Sequence, residues 1–177
     1  VVESIAVTSP TAGTYTAGQA ITIKATFNDD IFSDQASKTE IAAGTAPILK
    51  IKFGNEAAKT ATFSSITNSS GKDIITYTYT IASDDNGILS TSSFSGTVYD
   101  RAGNALSVGN KTISGNTIVA DNSGPALNVS YNPSTTTSGS VTVTISADEE
   151  IQLPTGWTFK DSYHMTITKS YSENKTE

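Results

Sequence analysis

The sequence has no cysteine and only one histidine, one tryptophan and one methionine. Without cysteine there is no disulfide framework, no thiolate nucleophile and no thiolate metal centre. With a single histidine, any Ser-His-Asp triad has to pass through His164, which reads as part of a strand in the C-terminal region. Charged residues make up 16% of the chain and the formal net charge is −6. No basic cluster is present to neutralise a phosphate backbone, so a nucleic-acid partner is not expected. No apolar run approaches the length of a membrane span, and no secretory signal opens the chain. Long apolar stripes at helical spacing are missing too, which excludes a helical bundle. The start at Val1-Val2 and the stop at Lys175-Thr176-Glu177 read as the edges of an excerpt from a longer protein. Leu153-Pro154-Thr155-Gly156 lacks the extra residue and the apolar tail of a sorting signal.

What the chain has instead is Ser, Thr, Gly and Asn, set between short runs of alternating character. Ile21, Ile23, Ala25 and Phe27 face one way, with Thr22, Lys24 and Thr26 on the other side. Period two over eight residues predicts a half-buried strand. Ser4–Thr8 alternates similarly, and so does Ile48–Phe53, where Leu49, Ile51 and Phe53 point inward and Lys50 and Lys52 outward. Ile74–Ile81 is rich in β-branched and aromatic residues, with Tyr77 and Tyr79 on one face. Ala61–Phe63 with Ile66 makes a weaker strand, and Ser93–Tyr99 another. Residues 28–47 hold no sustained period and read as a long connection with room for one helical turn. Leu106–Ile118 is ambiguous. Asp84-Asp85-Asn86-Gly87 is a turn cluster, and Ser95–Asn104 reads as a strand entering a tight turn that closes the module as a hairpin. In that turn Asp100 is suited to accept backbone amides, while Gly103 and Asn104 tolerate positive φ.

About seven strands within residues 1–121 predict an immunoglobulin-like β-sandwich. Asp121–Pro125 reads as a link, after which the alternation restarts with Leu127, Val129 and Tyr131, then Val141, Val143, Ile145 and Ala147. The remaining residues are too few for a sandwich of about 100 residues. The expectation is therefore an all-β protein of two tandem immunoglobulin-like β-sandwiches, residues 1–121 and 122–177, the second incomplete at its C-terminus. An incomplete sandwich leaves a sheet edge and residues such as Ile145 and Ile167 uncovered. It invites strand complementation by a neighbouring chain or a missing segment.

The stretches "GTVYDRAGN", "ADNSGP", "SVTVTISADEEIQLPTGWTF" and "ITKSYSENKTE" together resemble bacterial immunoglobulin-like modules, which repeat along Gram-positive cell-surface and secreted proteins. The resemblance spans nearly the whole chain. It implies an extracellular location and a β-sandwich fold, but no particular function, because such modules serve adhesins, surface layers and large secreted hydrolases alike. In that family a further Asp-rich turn of the D-x-A-G-N type follows the last stretch, and here Glu177 precedes any such turn.

The candidate sites are few. Hard cations take oxygens from carboxylates and carbonyls. Asp84, Asp85 and Asn86, the exit residues Asp121 and Asn122, and the acidic loop Asp148, Glu149 and Glu150 would supply them for an interdomain calcium ion. Ordinary turn chemistry is the competing explanation. Asp29, Asp30, Asp100 and Asn104 form a second such group at the other end. Trp157, with Tyr77, Tyr79, Tyr99 and Tyr131, offers a sugar-stacking platform, against which core packing competes. The carboxylate pairs Asp29-Asp30, Asp84-Asp85 and Glu149-Glu150 are neighbours in turns or on opposite strand faces, not the cleft-flanking pair of a glycosidase. Lys24, Lys50 and Lys52 face outward, which argues against a buried Lys–Asn amide crosslink. Asn68, Asn110, Asn128 and Asn174 match only the short glycosylation pattern.

The expected function is thus non-catalytic: an extended spacer or presenting pair of modules in a bacterial surface or secreted protein, with an adhesive role open to it. The alternatives are a module that binds carbohydrate or a host protein, and an accessory part of a large carbohydrate-active enzyme. Calcium is the one cofactor in prospect.

Overall fold

The strands form where alternation is strongest, because a half-buried strand needs one apolar and one polar face. The computed structural model describes residues 1–109, 111–133 and 139–172. Twelve strands are found up to residue 120. They are β1 (Val2–Ser9), β2 (Gly13–Tyr15), β3 (Ala20–Phe27), β4 (Ile48–Phe53), β5 (Lys59–Thr60) and β6 (Thr62–Ser69). There follow β7 (Lys72–Thr80), β8 (Gly87–Ser95), β9 (Thr97–Tyr99), β10 (Ala105–Ser107), β11 (Ile113–Gly115) and β12 (Ile118–Ala120). Four more complete the set: β13 (Leu127–Asn132), β14 (Val141–Ala147), β15 (Thr158–Phe159) and β16 (Thr166–Tyr171). No helix occurs among the described residues. The all-β, sandwich-type architecture expected from the sequence is the one found.

The chain divides into two compact units, Val1–Asn122 and Ser123–Glu177. In the first, two five-stranded sheets, β11-β1-β3-β7-β6 and β2-β12-β8-β4-β5, are joined by one buried apolar cluster. Ile5, Val7, Ile21, Ile23, Ile75 and Tyr77 come from one sheet, and Leu49, Ile51, Phe53, Phe94, Ile118 and Ala120 from the other. Aromatic edges lock the layers: the Phe94 ring sits 6.1 Å from Tyr77, edge-on, and 6.3 Å from Phe27. Tyr77 satisfies its buried hydroxyl by donating to the Pro47 carbonyl at 2.7 Å.

The terminal segments run side by side. β1 pairs in parallel with β11, and β2 in parallel with β12. The first and last strands of the unit thus adjoin in both sheets, and β11 and β12 close the sandwich. The β9–β10 hairpin, expected to close it, is a separate two-stranded sheet.

Residues 28–47 hold the one helical turn there was room for, at Ala42–Ala46, where the Ala42 carbonyl accepts the Thr45 and Ala46 amides at 2.9 and 2.8 Å; the segment is pinned by buried Ile31 and Ile41 and by a reciprocal backbone pair between Phe32 and Tyr99 at 2.8 and 2.9 Å. Two further expectations change. The strand expected over Ser93–Tyr99 is two strands, β8 and β9, interrupted at Gly96. The expected seven strands become twelve because several are only two or three residues long.

The described residues of the second unit form one four-stranded antiparallel sheet, β13-β14-β16-β15. Of the two residues expected to be uncovered, Ile167 is buried and Ile145 half-buried. Exposed apolar residues lie on the edge strand, Leu127 at 58%, Val129 at 44% and Tyr131 at 58% exposure, and in the connections, Leu153 and Tyr163. His164 is not in a strand but in the turn before β16, with φ of 57°.

Candidate functional site

Polar residues gather at the two ends of the first unit, where strands stop and their last backbone groups need partners. At the end where β7 passes into β8, Asp85 is buried, at 1% exposure. One carboxylate oxygen meets the Lys59 ammonium at 2.7 Å. The other accepts the Tyr79 hydroxyl at 2.7 Å and the Ala82 amide at 2.8 Å. Lys59 also reaches Asp84 at 2.6 Å. Both carboxylates raise the Lys59 pKa, while Lys59 lowers that of Asp84. Burial, reinforced by the bond to Asp85, pushes the Tyr79 phenol up to about 12.

Asn122 ties the chain exit to the same loop. Its backbone amide donates to Asn86 Oδ1 at 2.8 Å, and its side-chain amide donates to the carbonyls of Ala82 and Asp85 at 3.0 and 2.7 Å. Its Oδ1 accepts the Ala17 amide at 2.6 Å. The structure thus brings the 84–86 loop and the exit together, as the calcium reading required. The cation it places among the carboxylates is the Lys59 ammonium, and both Asp85 oxygens are engaged. Asp121 follows β12 in this unit and donates its amide to the Tyr15 carbonyl at 3.0 Å. Glu149 and Glu150 belong to the second unit, where Glu150 meets His164 Nδ1 at 2.8 Å. The His164 ring stacks on Phe159 at 4.2 Å. Among the described residues, no group of three or more His, Cys, Asp and Glu side chains is placed to hold a metal ion.

The opposite end carries a cleft of about 400 Å³ lined by Asp30, Phe32, Glu40, Asn68, Asp73 and Arg101, among others. Asp73, at 8% exposure, accepts the Ile31 amide at 2.8 Å and the Asn68 amide at 2.9 Å. Asn68 also donates to Asp30 at 2.6 Å, and Arg101 pairs with Asp30 at 2.7 Å while its guanidinium lies over the Phe32 ring. The Arg101 hydrogen bond holds the Asp30 carboxyl below its usual range. Asp100 accepts the backbone and side-chain amides of Asn104, both at 2.8 Å, in a turn where Gly103 takes the positive φ. The second acidic group is therefore divided between an ion pair with Arg101 and a hairpin turn.

The aromatic platform is dispersed. Tyr77 is in the core, Tyr79 is committed to Asp85, and Tyr99 is half-buried on β9. Trp157 is half-buried in a turn where its amide donates to the Pro154 carbonyl at 3.1 Å. Asn68 is spent on the two carboxylates, Asn128 is exposed on β13, and Asn110 and Asn174 lie outside the described residues.

Two contributors were not found from sequence. Asp73 carried a readable signal: it shares the strand parity of Ile75 and Tyr77, so an acid was due on the inward face. Lys59 carried none, since its strand is only two residues long. Comparison of the sequence with protein-family models and with curated proteins gives no match.

Proposed function

We propose that the chain is a non-catalytic, load-bearing pair of modules of the bacterial immunoglobulin-like kind, in a surface or secreted protein. The observation that carries this reading is the parallel pairing of terminal segments. Force entering at Val1 and leaving at Asn122 pulls β1 and β2 one way and β11 and β12 the other. Parallel neighbours pulled from opposite ends are loaded in shear, so their hydrogen bonds share the load instead of opening one after another. Asn122 and Lys59 anchor the exit end of this arrangement.

The test is single-molecule stretching through cysteines introduced at positions 1 and 122, which are unique handles because the chain has no cysteine of its own. The expected result is one rupture at a force well above that for a second pair of handles at Ser83 and Asn122, which peels β8 and β12 from their ends. Equal forces in the two geometries would refute the reading.

The 400 Å³ cleft favours a second reading, in which the same module also binds a polar ligand such as a glycan. Carboxylates, an amide and an arginine stacked on a ring are the groups that recognise sugar hydroxyls in a concave site. Binding on a glycan array, lost in Arg101→Ala and kept in Trp157→Ala, would place recognition at this cleft.

A further inference from the structure

The second unit repeats one half of the first, strand by strand and in register. Across β1 and β3, Ile5 pairs with Ala25 and Val7 with Ile23. Across β13 and β14, Leu127 pairs with Ala147 and Val129 with Ile145, a common shift of 122 residues (7 to 129, 23 to 145). The next strand agrees: Ile23 pairs with Tyr77, and Ile145 with Ile167. So does the edge, where Phe63 pairs with Tyr77 and Phe159 with Ile167. The order β13-β14-β16-β15 is thus that of β1-β3-β7-β6.

The two copies differ in what lies on their apolar face. In the first unit Ile5, Val7, Ile23 and Tyr77 are all buried beneath the second sheet. Of their counterparts, Ile167 is buried and Ile145 half-buried, but Leu127 and Val129 are 58% and 44% exposed. The reverse face of the second unit carries Asn128, Ser130, Thr142, Thr144, Ser146, Thr166, Thr168 and Ser170, the polar set suited to water. An amphipathic sheet of this kind is a sandwich half: its apolar side is stable only against another layer.

The first unit also shows where such a layer comes from. Its covering sheet is built from β2, between β1 and β3, from β4 and β5, inserted between β3 and β6, and from β8 and β12, which follow β7. In the second unit only residues 148–157 separate β14 from β15, and they contain no strand. With β2 only a three-residue edge strand, the main route left is that taken by β8 and β12. We infer that the apolar face of the second unit is the seat of a covering sheet of the β8–β12 kind, supplied by polypeptide C-terminal to β16. Its inward residues are apolar, as Leu89, Phe94, Ile118 and Ala120 are in the first unit. This inference is independent of the load-bearing reading, since it rests on the second unit alone.

The chain's own covering strands serve as the probe. Appending Gly87–Asp121 after Glu177 leaves six residues (172–177) between β16 and the first grafted strand, as six (81–86) separate β7 from β8. The expected result is at least ten-fold slower amide exchange in β14 and β16 than in the parent chain, with loss of binding of an apolar dye. Val129→Asp, on the exposed edge strand where the fold tolerates a charge, abolishes the gain. Thr144→Asp, on the polar face, keeps it. No gain in protection on grafting, or a gain that survives Val129→Asp, overturns the inference. So does concentration-dependent dimerisation of the parent chain that excludes the dye, because the occupant would then be a second copy.

Discussion

At the scale of the residue, the decisive group is Asp85, a carboxylate at 1% exposure held by one ammonium, one phenol and one amide. Removing the ammonium leaves a buried charge with only neutral partners, and breaking such a pair typically costs about 3–5 kcal/mol. Lys59 is itself 24% exposed, so Lys59→Met is expected to cost somewhat less, roughly 2–3 kcal/mol in urea unfolding. Lys72→Met removes the exposed pair with Glu3 and is expected to cost under about 1 kcal/mol. The same cluster contributes to the alkaline limit, together with the core residue Tyr77, whose phenol is also pushed up by burial. Folding raises the Tyr79 and Lys59 pKa values, so the stability they contribute is fully present below their unfolded values and is lost as pH rises through the folded ones. Stability should therefore begin to fall near pH 10, the unfolded tyrosine value, and keep falling towards 12. Tyr79→Phe should make that limb of the curve less steep, Tyr77 keeping its own share, and should remove from a 295 nm titration the phenolate that appears near 12. Sequence reading found the acid in this cluster but not its partner. "DDNG" looks the same whether its carboxylates face water, calcium or a lysine 25 residues upstream of the first of them.

At the scale of the element, what was legible depended on regular pairing. β3 and β4 match the spans read from alternation because their burial keeps period two throughout. β8 hid because it does not. Between Lys50–Ser93 and Ile51–Thr91 its register slips by one residue, so Ser92 is extra and buried positions change parity from Leu89 to Phe94. A bulge of this kind erases the alternation by which a strand is recognised. The three-residue strands β2, β11 and β12 hid for another reason: their parallel partners are about a hundred residues away in sequence, and no local pattern announces such a contact. Gly115 is the exception that leaves a testable trace. It has φ of +82°, and a Cβ there would lie 2.4 Å from the Val7 carbonyl oxygen across β1 and β11. Gly18 has φ of +94° with open space around it. Both Gly→Ala changes carry a conformational cost of about 1–3 kcal/mol. Only Gly115→Ala also forces β1 and β11 apart, so it should be the more destabilising of the two and should lower the rupture force in the shear geometry.

At the scale of the whole molecule, stability is unevenly distributed. The buried apolar cluster draws every member from residues 2–120, whereas Ile167 is the one buried hydrophobic residue found beyond them among those described. A lone sheet cannot bury enough apolar surface to offset its conformational entropy, because each of its residues has a neighbour on one side only. The two units should therefore not melt together. Calorimetry of the 177-residue chain is expected to show a broad, weak transition at low temperature for the second unit, then a sharp one for the first. Truncation after Asn122 should abolish the early transition. It should move the later one by no more than the roughly 4 °C that about 1 kcal/mol represents in a domain of this size. A single cooperative transition of the intact chain would instead mean that the two units share their stability. Native-state hydrogen exchange separates the two outcomes residue by residue. If the units are independent, amides of β14 and β16 exchange through openings far cheaper than those of β3 and β7, although the two strand pairs share the same register. The difference between these matched pairs then measures what the covering sheet contributes, since the covering layer is the main feature by which they differ.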